Sequence, residues 1–204
     1  MSVDSAQLRS FLSERRSIRA YRPVPIPDET VRRVVESACL APSAHNRQPW
    51  RFVVIRDAGL RRSLAEAMAA RFRHDLAADG CAPEEIDVRV RRRQERLVSA
   101  PVAIILCLTQ AEMDAYPDAR RREAERVMAV QSAALAGGHL LLAAHAEGLG
   151  ACWMCAPLFV PDIVQQLLSL PPDWEPQAMI LLGQPAETPA DPGRRPVDEV
   201  TAWR

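Results

Sequence analysis

Lysine is absent from this sequence, and the 204 residues carry no formal net charge. All 26 basic residues are arginine, and 26 acidic residues balance them. A chain without net charge has no long-range field to steer it to nucleic acid or an anionic membrane, so any anion site must be local. The arginine bias and the 17 prolines fit the codon usage of a GC-rich genome. The lysine enrichment that is typical of hyperthermophile proteins is missing.

The sequence also lacks an N-terminal leader and a long uninterrupted apolar run. No cationic segment followed by an apolar stretch occurs near the start, and no apolar run reaches about 18 residues. This pattern predicts neither a secretory signal nor a membrane span. Five cysteines, an odd number, fit a compartment in which thiols stay reduced. We therefore expect a cytoplasmic protein.

Hydrophobic periodicity predicts helices and strands that alternate around one central sheet, which is typical of an α/β or α+β protein. Predicted helices cover residues 4–15, 28–41, 60–76, 83–98, 120–147 and 161–170, and predicted strands cover 52–55, 102–108, 151–154 and 178–182. The longest helix is apolar on almost every side from Val127 to Ala146. A helix of that kind must lie at the centre of the fold or in a subunit interface.

A polar loop follows the second predicted helix and carries hydroxyl, imidazole and amide side chains at Ser43, His45, Asn46 and Gln48. The amides offer both donors and acceptors, so this loop could bind the edge of a planar ring that alternates the two. The alternative is an ordinary turn, because Asn and Ser favour turns without any ligand.

Two arginine-rich segments are candidate anion sites. "RRSIR" ends the first helix and contains Arg15, Arg16, Ser17 and Arg19, and guanidinium groups match phosphate oxygens bidentately. Arginines at a helix C-terminus also favour the helix dipole, which is the simpler explanation. The second segment, "PGRRPVDEV", places Arg194 and Arg195 in a proline-rich tail over 184–204. The alternative there is a solvated chain end.

The segment "GLGACWM", from Gly148 to Met154, can bring backbone N–H groups against a ligand, although a helix C-cap before a strand has the same pattern. "CWMC" has redox spacing but follows a helix, and we expect Cys152 and Cys155 to be packing residues. His139 and His145 are six residues apart, which does not suit one metal on a helix face. The sequence predicts no metal site.

Taken in order, "RRSIRAYRPVPIP", "APSAHNRQPWRFVVI", "GLGACWM", "GQP" and a late "RRP" resemble the nitroreductase family of flavoproteins. The resemblance implies an α+β fold with a mostly antiparallel sheet, and an intertwined homodimer that binds FMN at the subunit interface. It implies a domain over 1–183 and an arm over 184–204 that packs on the partner. The implied flavin contacts are Arg15, Arg16, Ser17, Arg19, Ser43, His45, Asn46, Gln48, backbone near Met154, and Arg194 or Arg195.

"RFRHDLAADG", "YPDARRREAERVMAVQSAA" and "LPPDWEPQAMILLG" look more specifically like the reductase domain of the bifunctional coenzyme F-420 biosynthesis protein, without its ligase domain. This resemblance implies reduction of the dehydro precursor of that deazaflavin, with Asp75 and its surrounding loop near the substrate. Flavin performs the hydride chemistry, so no catalytic acid or base is expected. The arginines over 89–96 form either an acidic-substrate rim or a solvated helix face. A general NAD(P)H-dependent nitro or quinone reductase and a non-catalytic flavin or deazaflavin carrier are the alternatives.

Overall fold

A four-stranded antiparallel sheet separates two layers of helices in the computed structural model, which describes residues 4–204. The strands are β1 (Trp50–Ile55), β2 (Val102–Leu108), β3 (Gly150–Met154) and β4 (Glu175–Gly183), in the spatial order β1-β2-β4-β3. All residues of β2 are buried. Its continuous apolar sequence suits a central strand that is covered on both faces.

Seven helices and two short 3-10 turns complete the described chain. The helices are α1 (Ser5–Glu14), α2 (Asp28–Cys39), α3 (Ala58–Ala78), α4 (Pro83–Ser99), α5 (Ala119–Ala146), α6 (Pro161–Leu167) and α7 (Val197–Val200), and the turns are Ala44–Asn46 and Ala156–Phe159. The carboxylates of Asp4, Asp57 and Asp118 each accept a backbone N–H at the start of α1, α3 and α5. These caps satisfy donors that the first helical turn leaves free, which fixes where the three helices begin.

The two faces of the sheet carry separate cores because side chains alternate along each strand. Ile104 and Leu106 of β2 join a core with α2 and α5, whereas Ile105 and Cys107 join a core with α3 and α6. The chain therefore has the α+β architecture with an antiparallel sheet that was expected from the sequence motifs.

The long helix α5 is buried on one side only. Ala129, Ala136 and Leu140 are fully buried, but Val127 is 41% and Leu135 is 48% exposed. An 18-residue window of α5 has a mean hydropathy of 1.6, so this helix is long and apolar enough to span a membrane by length and composition alone, although the sequence predicts no membrane span. A helix in a protein core passes it too. The side of α5 that faces the sheet is packed like a helix in a protein core.

The segments that follow α1 and β4 meet in a small structure that we call the clasp, formed by residues 17–22 and 184–186. Backbone N–H groups of Ile18, Arg22 and Ala186 donate to the carbonyls of Ala151, Gln184 and Ala20 at 2.9, 2.9 and 3.0 Å. Beyond the clasp, the tail contributes nothing to the protomer core. Helix α7 has no buried residue, and Trp203 near the chain end is 78% exposed.

Most element boundaries lie within two residues of the sequence prediction, and the two that differ by three residues have a physical reason. β4 begins at Glu175, three residues before the predicted start, because the polar residues at its entry still pair with β2 through a register shift at Leu106 and Cys107. α6 ends at Leu167 instead of residue 170. Ser169 has a φ of 49°, and this left-handed conformation cannot continue a right-handed helix.

Candidate functional site

The "RRSIR" segment leaves α1 and lies against the edge strand β3. Ser17 pairs with Ala151 in parallel orientation. A Cβ atom at Gly150 would lie 2.7 Å from the Cβ of Ile18, so this close approach requires glycine in the strand. Tyr21 holds the segment from the other side, because its hydroxyl donates to the carbonyl of Ile18 at 2.6 Å. Residues 17–21 are therefore fixed on the sheet edge.

Arg15 and Arg16 line a cavity of about 220 Å³ next to the clasp, together with the C-terminal end of α5. The Arg16 side chain is 16% exposed, donates to the carbonyls of Ser13 and Arg15, and lies 3.2 Å from the carboxylate of Asp191. In the described chain, the guanidinium of Arg15 has neither a hydrogen bond nor an ion pair. Asp191 therefore neutralises Arg16 in this cavity, whereas the guanidinium of Arg15 can bind an anion.

Asp191 brings the C-terminal tail to this cavity. Its carboxylate contacts Arg16 and also accepts the backbone N–H of Gly193 at 3.0 Å, in a turn where Gly193 has a φ of 74°. Arg194 and Arg195 follow this turn and are exposed. The side chain of Arg194 donates only to the neighbouring carbonyl of Gly193 at 2.6 Å. Arg194 and Arg195 therefore follow, by three and four residues, the Asp191 side chain that contacts the "RRSIR" segment.

The polar loop over 43–48 has a strained backbone. His45, Asn46 and Gln48 have φ values of 50°, 53° and 50°, in the left-handed region that non-glycine residues rarely adopt. The backbone N–H of Gln48 donates to the Ser43 hydroxyl at 3.0 Å. The side-chain amide of Gln48 donates to Oδ1 of Asn46 at 3.3 Å. Such strain persists only where the surroundings impose it, and it concentrates at ligand sites.

A buried serine on α5 holds this loop in place. The Ser132 hydroxyl accepts the backbone N–H of Ala44 at 3.2 Å and donates to the carbonyl of Met128 at 2.7 Å. Arg47 adds an ion pair with Asp114 at 2.5 Å. Ser132 was not among the predicted site residues. A serine in the middle of an apolar helix does not indicate by itself that its hydroxyl binds a distant loop.

The loop contacts the middle of α5, whereas the cavity lined by Arg15 and Arg16, here called the arginine cavity, lies at the C-terminal end of that helix. The loop is bonded to Ser132, whereas the cavity is lined by Leu141 and His145. At 1.5 Å per residue, these positions are roughly 14–20 Å apart along the helix axis. Within residues 4–204 of one protomer, no hydrogen bond or ion pair joins the two segments. The residues predicted to form one site are therefore brought together in two separate groups.

Met154 ends β3 and lines a second, larger cavity of about 270 Å³ between α3, α4 and the sheet. Asp75 also lines this cavity, but it lies inside α3, where Arg71 is 3.6 Å away, and not in the loop that the sequence suggested. The helical pattern continues past Leu76 to Ala78, which removes that loop. Phe72 and Arg93 form part of the cavity wall.

The cysteines of "CWMC" do not pair. Cys152 is buried, and burial raises the pKa of its thiol, with the nearby Arg19 and Arg96 acting in the opposite direction. Cys155 is exposed and accepts a hydrogen bond from the Trp153 indole at 3.0 Å. Both cysteines are free thiols in the structure.

Comparison with known proteins places this architecture in a class of flavoenzymes. The model of the nitroreductase family matches residues 12–184. The chain therefore belongs to the nitroreductase family.

Among its curated relatives, an NADH dehydrogenase from Thermus thermophilus is 32% identical, over 94% of this chain and 93% of the relative. A 5,6-dimethylbenzimidazole synthase from Rhodospirillum rubrum is 34% identical, over 88% and 82%. A structure described as a nitroreductase in complex with FMN, from Desulfovibrio desulfuricans, is 28% identical, with a TM-score of 0.75 over 100% of this chain and 98% of that one.

These findings confirm three expectations from the sequence. The chain has the nitroreductase fold, it is an FMN-dependent oxidoreductase, and FMN is its cofactor. The contacts of individual residues with FMN, the acceptor and the subunit arrangement are treated below as proposals.

Proposed function

We propose that two copies of this chain form a reductase that takes electrons from NADH or NADPH and passes them to quinones or nitro compounds. The observation that supports this function best is the strained loop over 43–48, which contacts the middle of α5, roughly 14–20 Å along the helix axis from the arginine cavity at its C-terminal end. A loop that is costly to hold and has no partner site in its own protomer suits a ligand held between subunits.

The arginine cavity fits the phosphate of FMN. Arg15 supplies a free guanidinium and Arg16 supplies one that Asp191 compensates, and Ser17 lies next to them, paired with Ala151 of β3. In this assignment Arg194 or Arg195 joins the phosphate from the tail, which Asp191 already connects to Arg16. Charge-assisted hydrogen bonds to phosphate are among the stronger ones in proteins.

The flavin ring fits the region between the clasp and the same loop of the partner subunit. Arg19 extends from the clasp, and its guanidinium donates to the carbonyl of Ser17 at 3.3 Å and lies near the Cys152 thiol. The loop residues Ser43, His45, Asn46 and Gln48 would supply donors and acceptors for the polar edge of the ring. Backbone near Met154 would face the reactive centre of the ring.

A homodimer is supported by apolar surface that the protomer leaves uncovered. Val127 and Leu135 lie on the exposed side of α5, α1 has no buried residue, and the tail carries an exposed Trp203. Closing α5 against a second copy, with the tail as an arm on the partner, would bury these groups. We expect Leu135→Arg to give monomers in analytical ultracentrifugation and to lose FMN. A Leu135→Arg dimer that retains FMN would contradict this arrangement.

The chemistry of the site needs positioning more than proton transfer. Bound FMN supplies the hydride transfer. The residues of this chain hold the phosphate, present hydrogen bonds to the ring and exclude water through the cores on either side of the sheet. We assign no catalytic acid or base. A nicotinamide donor is supported by the Thermus relative, which is described as an NADH dehydrogenase.

Two classes of acceptor are candidates for this enzyme. A general reductase suits the mostly apolar cavity beside Met154. The dehydro precursor of coenzyme F-420 remains the more specific acceptor that the sequence motifs suggest. We infer a cytoplasmic location for the enzyme with either acceptor.

Anaerobic spectroscopy tests these functions together. The purified protein is reconstituted with FMN, and the flavin absorbance is followed as NADH or NADPH is added and then an acceptor. We expect bleaching by a nicotinamide and recovery with menadione or a nitroaromatic compound. Recovery with the F-420 precursor alone would establish the biosynthetic reductase instead. Bound flavin that no nicotinamide bleaches would contradict a nicotinamide-dependent reductase and require a different electron donor.

A further inference from the structure

We propose that the cavity beside Met154 selects acceptors that combine a compact apolar ring with an anionic group, and that Arg93 recognises the anion. This inference rests on the proposed function, because it defines the substrate class of the same enzyme. The evidence is an apolar cavity wall that carries a cation without a counterion.

The apolar part of the cavity is formed by α3, α4 and the sheet. Met68, Leu97 and Met179 line it, and Met154 connects it to the proposed position of the reactive flavin centre. Its volume of about 270 Å³ is near the lower end of the roughly 300–1,000 Å³ that small-molecule sites occupy. The cavity therefore favours a compact ring system.

The cation is the guanidinium of Arg93, which stacks on the Phe72 ring with its central carbon 3.5 Å from the ring centroid. Stacking fixes the position of the guanidinium but leaves its N–H donors free. In the described part of the chain, Arg93 makes no hydrogen bond or ion pair. Desolvation and the neighbouring Arg89 and Arg96 lower its pKa, as expected where cations lack compensation.

The carboxylates near the cavity do not neutralise this cation. Asp75 and Asp79 line the same cavity, but neither forms an ion pair with Arg93 within 4.0 Å, and Asp75 is already paired with Arg71. Arg89 differs from Arg93, because Glu85 compensates it at 3.1 Å. Arg93 is therefore the guanidinium on this wall that remains available to a ligand.

A second unpaired guanidinium extends the positive region toward the clasp. Arg96 lies one helical turn after Arg93, makes no ion pair in the described chain, and is close enough to Arg19 for their charges to interact. Asp75 and Asp79 line the same cavity, so an anion beside the ring is favoured only on the side of the unpaired guanidinium groups of Arg93 and Arg96. A carboxylate or sulfonate on the acceptor would gain hydrogen bonds that a neutral acceptor cannot make.

Binding of two compounds that flavin does not reduce tests the inference directly. The FMN-reconstituted protein is titrated by calorimetry with 2-naphthoate and with its neutral counterpart 2-naphthamide. We expect the naphthoate to bind more tightly, and Arg93→Gln to weaken its binding about ten-fold or more, as loss of a charge-assisted hydrogen bond predicts. Binding of the naphthamide should change less than about two-fold.

Arg92→Gln is the matched control, because Arg92 is on the same helix and exposed but does not line the cavity. Arg93→Lys should retain part of the preference for the anion. Equal binding of the two compounds by the unmodified protein, or equal loss in Arg92→Gln and Arg93→Gln, would overturn the inference.

Kinetics separate the acceptor from the donor, whose phosphates are also anionic. Arg93→Gln should raise the KM for 1,4-naphthoquinone-2-sulfonate and leave that for NADH unchanged. A rise confined to NADH would show that the anion belongs to the nucleotide and would overturn the assignment to the acceptor. FMN retention is measured first in every variant. Failure to retain FMN concerns the proposed function, whereas a holoprotein without anion preference contradicts only this inference.

Discussion

Replacing Gly137 with alanine is expected to destabilise the protein through a single steric conflict. Gly137 is buried in the middle of α5, where the helix crosses β2 and β3. An added Cβ would lie 2.9 Å from Cη2 of Trp153, closer still to its Cζ3, and 3.0 Å from Cδ2 of Leu106. Ordinary carbon contacts are about 3.5–4.0 Å, so the indole must move.

The magnitude follows from two opposing effects. Alanine is about 1 kcal/mol more favourable than glycine inside a helix. Overpacking a core costs roughly 1–3 kcal/mol, and the upper part of that range applies because Trp153 is held by its bond to Cys155 and cannot rotate freely. We expect a net loss of about 1–2 kcal/mol in the free energy of unfolding.

Urea unfolding of the apoprotein and the FMN complex measures this loss. Displacement of Trp153 also moves the neighbouring Met154, so FMN affinity should fall with stability. The control is a double-mutant cycle with Trp153→Leu, which removes the far end of the ring. The two substitutions should couple by about 0.5–3 kcal/mol, because Gly137→Ala meets little resistance once the ring is gone. An equal cost of Gly137→Ala in both backgrounds would refute the steric explanation.

Three further substitutions address the site and its pH dependence. Arg19→Ala should weaken FMN binding by about 1.5–3 kcal/mol in a fluorescence titration, and unchanged affinity would remove Arg19 from the site. Ser132→Ala leaves the Ala44 N–H without its acceptor, so we expect a loss of about 1 kcal/mol in stability and weaker FMN binding, while equal affinity would separate Ser132 from the loop. Burial raises the pKa of Cys107 to about 12, so the folded state keeps its proton while the unfolded state loses it above pH 9. Its contribution to stability should therefore fall by about 1.4 kcal/mol per pH unit from pH 9 to 12, and denaturation curves of Cys107→Ala should lack that component.

The elements of the fold could be predicted from the sequence because their signals are local. Asp4 and Asp28 mark helix starts, and the apolar run of β2 gives a buried strand with the bounds that the structure shows. The left-handed conformation of His45 could not be predicted, since its own residue type does not require it and the packing around the loop imposes it.

The cavity beside Met154 also depends on distant contacts. Of the arginines over 89–96, Arg93 lines the cavity wall and Arg92 does not. This difference could be learned only from the fold. Asp75 was expected near the substrate, and it does line the cavity, but the continuation of α3 places it on a helix. Ser132 is the clearest case of a residue whose role depends on a partner far away in sequence.

The clasp makes the chain close on itself, since the segment after α1 and the segment after β4 bond to each other through Arg22 and Gln184. Loss of residues 184–186 should therefore also weaken the attachment of residues 17–22 to the fold. Removing residues after Gly183 would free carbonyl and amide groups near Ala20, and hydrogen exchange would then rise in the N-terminal segment, far away in sequence from the cut.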